Sequence, residues 1–301
     1  MQAVSRLVPA TGQGQSASAA PAAATTGGGS AAPAAPATEG GRSAAPAAAR
    51  VHSLADCAQA LWAQLSPSQR VEVRVRARTK LVVGTACSGT DCAIQCLEHL
   101  HSFTGWSSHH AFSCEVDERK RSWILENYSS LPALFSDVAL LGTGDAFNHV
   151  TGRTEAVPGV DLLIAGFVCK SVSVEYRDRG NSRTCVSDGT GQTGVTFHGV
   201  CKYVERFQPK FVICENVGGL LKRSLGAEPQ ILAVQAAFIR LGYTFQHVAV
   251  DTRDFFLPHR RQRVWMWALR DGAQSQADQI KAVIHNLPKR PPHVTTRSSC
   301  P

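Results

Sequence analysis

From residue 80 onward the chain alternates short apolar runs with stretches whose apolar residues recur every three or four positions. The runs are Leu81-Val82-Val83-Gly84, Ala111-Phe112-Ser113-Cys114, Leu162-Leu163-Ile164-Ala165 and Phe211-Val212-Ile213-Cys214. Between them lie Asp91 to Leu100, Glu118 to Tyr128 and Val195 to Phe207, each with helical spacing. Such alternation predicts right-handed βαβ units and a sheet covered by helices on both faces. After Gly242, Phe245 to Val250 and Val264 to Ala268 read as two further strands. The expected fold is a three-layer, doubly wound α/β domain with a mostly parallel sheet, spanning about residues 51 to 271.

The flanks read differently. Residues 1–50 are built mainly from Ala, Gly, Ser, Pro and Thr, with Glu39 the only acid and Arg6, Arg42 and Arg50 the only bases. Such a segment has too little apolar surface to offset the entropy of ordering its backbone, so it is expected to be disordered. Its composition also suits a transit peptide, although the amphipathic Arg-bearing helix of one is missing. Ser53 is placed to cap a helix through Leu65, and Val71, Val73 and Val75 alternate with Glu72, Arg74 and Arg76 as in an edge strand. Residues 272–301 read as a truncated or disordered tail.

No apolar run approaches the ~20 residues a membrane helix needs. The net charge of +8 favours an anionic partner, nucleic acid above all. None of the ten cysteines forms a Cys-x-x-Cys pair, which argues against zinc; several sit inside apolar runs and suit buried free thiols. Gly189-Thr190-Gly191-Gln192-Thr193-Gly194 has the spacing of a phosphate loop, but Val195-Thr196 follows where Lys-Ser or Lys-Thr would be needed. It reads instead as the end of a flexible segment from about Lys170 that closes over nucleic acid.

In open parallel sheets, ligands bind at the carboxyl ends of the strands near the point where strand order reverses. Each expected strand is followed at once by chemistry-bearing residues: Thr85 to Gly89, Glu115, Cys169 and Glu215-Asn216. Phe167-Val168-Cys169, then Glu215-Asn216-Val217, then Arg261-Gln262-Arg263-Val264, in that order, resembles the cytosine-5 DNA methyltransferase family from about Leu81 to Leu269.

The resemblance implies a Rossmann-like fold that uses S-adenosylmethionine to methylate carbon 5 of cytosine through a cysteine adduct on a flipped base. It implies Cys169 as nucleophile, Glu215 at N3 and the exocyclic amine, and Arg263 on the flipped base. Arg261, Asn216 and Lys170 would meet the substrate. Cys87, Ser88 and Gly89 would pass beneath the methionine part of the cofactor, Glu115 would bind its ribose, and Asp137 its adenine. The implied partner is DNA, with RNA as the alternative. The implied location is the nucleus, or a plastid or mitochondrion if the N-terminal segment is a transit peptide.

Three departures accompany the resemblance. The family's Pro-Cys-Gln is here Val168-Cys169-Lys170, which loses the φ fixed by Pro; Lys170 either favours the thiolate or disturbs the loop. In the glycine motif, Cys87 takes an aromatic position and Asp91 and Cys92 take glycine positions. Asp91 either repels the cofactor carboxylate or begins the following helix. Beyond Leu269 only about thirty residues remain, rich in Pro, Ser and Thr. A fragment, or a partner chain that supplies target recognition, is expected.

Overall fold

The computed structural model of the chain describes residues 59, 62–63, 65–76, 80–172, 184–223, 228–255 and 259–287. In chain order these form α1 (Pro67–Arg76), β1 (Leu81–Ala86), α2 (Cys92–Thr104), β2 (Ser108–Cys114), α3 (Glu118–Asn127), β3 (Leu134–Phe135) and α4 (Val138–Leu141). A hairpin of β4 (Asp145–Asn148) and β5 (Arg153–Ala156) follows, then β6 (Leu162–Ala165), α5 (Cys185–Asp188), α6 (Gly191–Phe207) and β7 (Phe211–Val217). The last elements are α7 (Gln230–Arg240), β8 (Tyr243–Asp251), β9 (Gln262–Arg270) and α8 (Gln274–Asn286), with short 3-10 turns at Gly218–Leu221 and Thr252–Phe255.

One seven-stranded sheet runs in the order β3-β2-β1-β6-β7-β9-β8. Its first five strands are parallel, whereas β9 is antiparallel to both β7 and β8. Chain order reverses between β1 and β6, so a crevice opens there at the strands' carboxyl ends.

Alternation along the strands separates two cores. Leu163, Val212, Cys214, Val264 and Met266 face one side, where α6 buries Phe197, Val200, Tyr203 and Val204. Val83 and Leu162 face the other, with Ile94 of α2. Farther along, Val248 and Trp267 pack with Ala277, Ile280 and Ile284 of α8. These are the three layers expected of the α/β pattern.

Four local expectations change. Residues 67–76 form a helix, not an edge strand: Ser66 and Gln69 make reciprocal side-chain to backbone bonds, Ser66 N–H to Gln69 Oε1 at 2.8 Å and Gln69 N–H to Ser66 Oγ at 3.2 Å. This is a capping box with Pro67 at the first helical position, and it outweighs the valine alternation. Residues 274–286, expected within the tail, form α8, anchored by Trp267 Nε1 donating to Ala277 O at 3.1 Å. The glycine-bearing stretch before Val195 is not a flexible loop where it is described: Gly191 to Gly194 open α6. Finally, β7 runs on through Val217, so Glu215 and Asn216 lie inside the strand. Of the helix expected from Ser53, only Gln59, Trp62 and Ala63 are described as helical. The tail at 1–50 and residues 173–183 of the segment expected to close over nucleic acid, with Arg177, Arg179 and Arg183, lie outside the described residues.

Candidate active site

A cavity of about 690 Å³ opens at the switch point, within the range of small-molecule sites. Its lining includes Cys87, Gly89, Glu115, Asp137, Gly166 and Val168, with Gln192 and Thr196 from the start of α6. Glu115 follows β2 directly and is 5% exposed. Its Oε2 accepts the Gly89 N–H at 2.8 Å and its Oε1 the Asp117 N–H at 3.0 Å, with Lys120 Nζ 3.9 Å from Oε1. The carboxylate is thus held still while keeping lone pairs for a ligand hydroxyl. Gly89 has φ of 61°, a conformation that favours glycine and aims its N–H at Glu115.

Asp137 serves two ends. Its Oδ1 accepts the Ala139 N–H at 2.8 Å as the cap of α4, and the residue lines the cavity. Burial and the nearby Glu115 push the Cys87 thiol up to about 12, so at neutral pH it is a neutral wall of the cavity.

Cys169 lies on the loop that follows β6 and is half-buried. The register pairs Ala165 with Cys214, bringing this loop beside Glu215. A Cβ built on Gly166 would stand 3.8 Å from Glu215 Oε2. Glu215 lies opposite Trp265, and Arg263 opposite Val217, so Glu215 and Arg263 are diagonal neighbours on one face. Arg263 Nε reaches Glu215 Oε1 at 2.7 Å. Burial raises the Glu215 pKa against the pull of Arg263 and Arg261, so its carboxyl holds a proton to higher pH than usual.

Three expected site residues have other duties. Asn216 is 1% exposed: its Nδ2 donates to Phe167 O at 2.8 Å and its Oδ1 accepts the Val217 N–H at 2.8 Å. Its Nδ2 holds the cysteine loop and its Oδ1 its own strand, so neither faces a substrate. Ser88 is spent on β2, its Oγ accepting the Cys114 N–H at 3.0 Å and donating to Cys114 O at 3.1 Å, so it clamps the turn and is not among the residues lining the cavity. Asp91 precedes α2 with φ of 54° but leaves the helix uncapped. Its buried carboxylate turns away from the cavity, accepting from Thr85 Oγ1 at 2.6 Å and from Ser113 Oγ. The feared repulsion of a cofactor is thereby avoided. Lys170 and Arg261 are exposed, and the Arg261 N–H donates to Asp251 Oδ1 at 3.3 Å.

Sequence reasoning missed Thr196 and Thr193, whose hydroxyls meet the cysteine loop at Val168 N and Ser171 N. No local pattern marks a helical threonine as a loop anchor. Among the described residues, no group of three or more His, Cys, Asp or Glu could hold a metal ion, and no helix is long and apolar enough to cross a membrane.

A parallel sheet whose last strand inserts antiparallel beside β7, with a cavity at the switch point, defines the Rossmann-like methyltransferase class. Residues 139–298 match the family model described as C-5 cytosine-specific DNA methylase, and the chain belongs to that family. It is 34% identical over 204 residues to the DNA (cytosine-5-)-methyltransferase DMT5 of Cryptococcus neoformans, covering 65% of this chain and 8% of that protein. It is 27% identical over 169 residues to the Type II methyltransferase M.NgoBI of Neisseria gonorrhoeae, covering 56% of this chain and 46% of that one. The chain therefore spans less than half the length of either relative. The crystal structure of S. pombe Dnmt2 methyltransferase aligns over 65% of this chain and 51% of that one, at 13% identity and a TM-score of 0.45.

Proposed function

We propose that this chain methylates carbon 5 of cytosine in DNA with S-adenosylmethionine, through a covalent adduct of Cys169 on a flipped base. The observation that supports the reading is that the loop carrying Cys169 contributes Gly166 and Val168 to the cavity wall, while a Cβ on Gly166 would stand 3.8 Å from Oε2 of Glu215, the partner of Arg263. The donor set fits the cofactor: Glu115 offers a fixed carboxylate for a ribose diol, and Asp137 lies across the same cavity. When bound there, S-adenosylmethionine supplies an electrophilic methyl carbon.

Cys169 would add to carbon 6 of the base, forming the S–C6 bond and shifting the C5=C6 electron pair toward N3. Glu215, which burial keeps protonated to higher pH, would hold its proton at N3 and offset the developing charge. Carbon 5 is then nucleophilic and would take the methyl group as the methyl–sulfur bond of the sulfonium breaks, its electron pair leaving with the thioether. Loss of the C5 proton to solvent base, cleavage of the S–C6 bond and return of the N3 proton to Glu215 restore the ring and free the thiolate. Arg263, whose Nε lies 2.7 Å from Glu215 Oε1, orients the carboxyl group and pairs with it once the proton has moved to N3.

Val168 and Lys170 beside the cysteine favour a second reading, a family member that binds cofactor or nucleic acid without catalysis. One experiment separates the two. The chain is incubated with labelled S-adenosylmethionine and a DNA duplex carrying 5-fluorocytosine, and a covalent adduct is sought. The proposal expects an adduct that Cys169→Ala abolishes. An adduct in the Ala variant removes Cys169 from the role, and cofactor binding without any adduct establishes the second reading. The same trial with RNA tests the choice of substrate.

A further inference from the structure

Residues 166–172 belong to no helix or strand, so their backbone groups need partners elsewhere. The Gly166 N–H donates to Ala86 O at 3.2 Å, and Phe167 O accepts from Asn216 Nδ2 at 2.8 Å. Cys169 O accepts the Val172 N–H at 3.0 Å. Two further bonds go to one helix: the Val168 N–H, which also faces the Cys87 sulfur, donates to Thr196 Oγ1 at 3.2 Å, and the Ser171 N–H to Thr193 Oγ1 at 3.0 Å.

Two hydroxyls one turn apart on α6 therefore capture the amides on either side of Cys169. Their own geometry is fixed. Thr196 Oγ1 donates to Gln192 O at 2.8 Å, which leaves a lone pair for Val168, and Thr193 is fully buried. The helix is immobilised in turn by Phe197, Val200, Tyr203 and Val204 in the main core. At the far end, Gly219 meets the loop so closely that a Cβ there would stand 1.7 Å from Val172 O.

We propose that Thr196 and Thr193 are positioning residues that fix the loop carrying Cys169, next in the chain to Val168 of the cavity wall. A proline before the cysteine would fix its approach covalently and carry no N–H. Val168 does carry one, and Thr196 accepts it, so a hydrogen bond does the work of a ring. The consequence for catalysis rests on the function proposed above, but the clamp itself can be measured without it.

The test uses the full chain and follows Cys169 alkylation by iodoacetamide, resolved by peptide mass spectrometry, together with amide hydrogen exchange at Val168. Thr196→Val keeps the shape and removes the hydroxyl acceptor, leaving only the weakly accepting Cys87 sulfur; both rates should rise about tenfold, as expected for a released amide. Thr196→Ser keeps the hydroxyl and should stay within about twofold of the parent chain. With Val168→Pro already present, Thr196→Val should add less than about twofold to alkylation, because no N–H is left to orphan. Thr196→Val should also slow adduct formation at saturating cofactor more than it weakens cofactor binding.

Unchanged exchange and alkylation in Thr196→Val overturn the proposal. So does an effect on alkylation that is just as large in the Val168→Pro background. If the parent chain forms no adduct while the alkylation and exchange pattern holds, the functional reading fails and the clamp stands.

Discussion

Asp91 and His110 sit on either side of Ser113, and burial shifts their titrations in opposite directions. Ser113 Oγ gives its proton to Asp91 Oδ2, so His110 Nε2, 2.8 Å from that Oγ, is the donor to it. His110 Nε2 and Asp91 Oδ2 are 3.7 Å apart, and His110 packs edge-on against Tyr128. Burial raises the Asp91 carboxyl from 3.8 to about 6, against the pull of the Ser113 and Thr85 bonds. Burial lowers the His110 imidazole from 6.5 to about 4. The folded chain thus binds the Asp91 proton more tightly than the unfolded chain does, and the His110 proton less tightly.

The signs follow from linkage. Asp91 contributes stability at low pH that is lost as pH rises from about 4 to about 6, worth about 3 kcal/mol. His110 contributes the reverse: stability is lost as pH falls from about 6.5 to about 4, again by about 3 kcal/mol. In the parent chain the two slopes largely cancel. Asp91→Asn removes one titration and keeps a polar group for Thr85 and Ser113. Its stability relative to the parent should therefore climb by about 3 kcal/mol between pH 4 and pH 6. His110→Gln should show the opposite difference slope. Urea unfolding of the full chain at half-unit pH steps reads both, and taking differences from the parent cancels titrations elsewhere. Profiles for both variants that run parallel to the parent would refute the reasoning.

Three further outcomes are expected. Glu215→Gln should slow single-turnover adduct formation by about a hundredfold or more. In the parent, the rate should fall as pH rises through the elevated Glu215 pKa, and the Gln variant should lose that limb. Gly219→Ala puts a methyl group 1.7 Å from Val172 O, and urea unfolding should show a loss of about 3 kcal/mol. Ser66→Ala removes one half of the capping box, worth about 1 kcal/mol to α1. Hydrogen exchange should quicken in α1 with little change in global unfolding, because Val71 and Val75 are 62% and 57% exposed and add little to the core.

The strands and principal helices were legible because burial on both sheet faces demands apolar runs, and a helix packed on one face demands helical spacing. The same logic misled at Val71, Val73 and Val75, where alternation that suits a strand lies on a weakly packed helix set by Ser66, Pro67 and Gln69. It also passed over α8, although Ala277, Ile280 and Ile284 carry helical spacing, because the surrounding Pro, Ser and Thr dominate the composition. Gly191 and Gly194 suggested a loop. Gly194 is needed for packing instead, since a Cβ there would lie 2.0 Å from Cys185 O.

At the site, the sequence by itself determined which side chains stand at strand ends: Cys169 after β6, Glu115 after β2, Glu215 near the end of β7. Strand periodicity and the carboxyl-end rule are local, so they can be read along the chain. Only the tertiary structure decided the partners. The antiparallel register of β9 on β7 gives Glu215 its Arg263, the inward turn of Asn216 ties down Phe167, and α6 brings two threonines to the cysteine loop. Such bonds join residues far apart in sequence, and a hydroxyl or amide carries no periodic trace of the backbone group it will meet. They form only once packing has fixed the distances, which is why strand-end positions could be read from the sequence and their bonding partners could not.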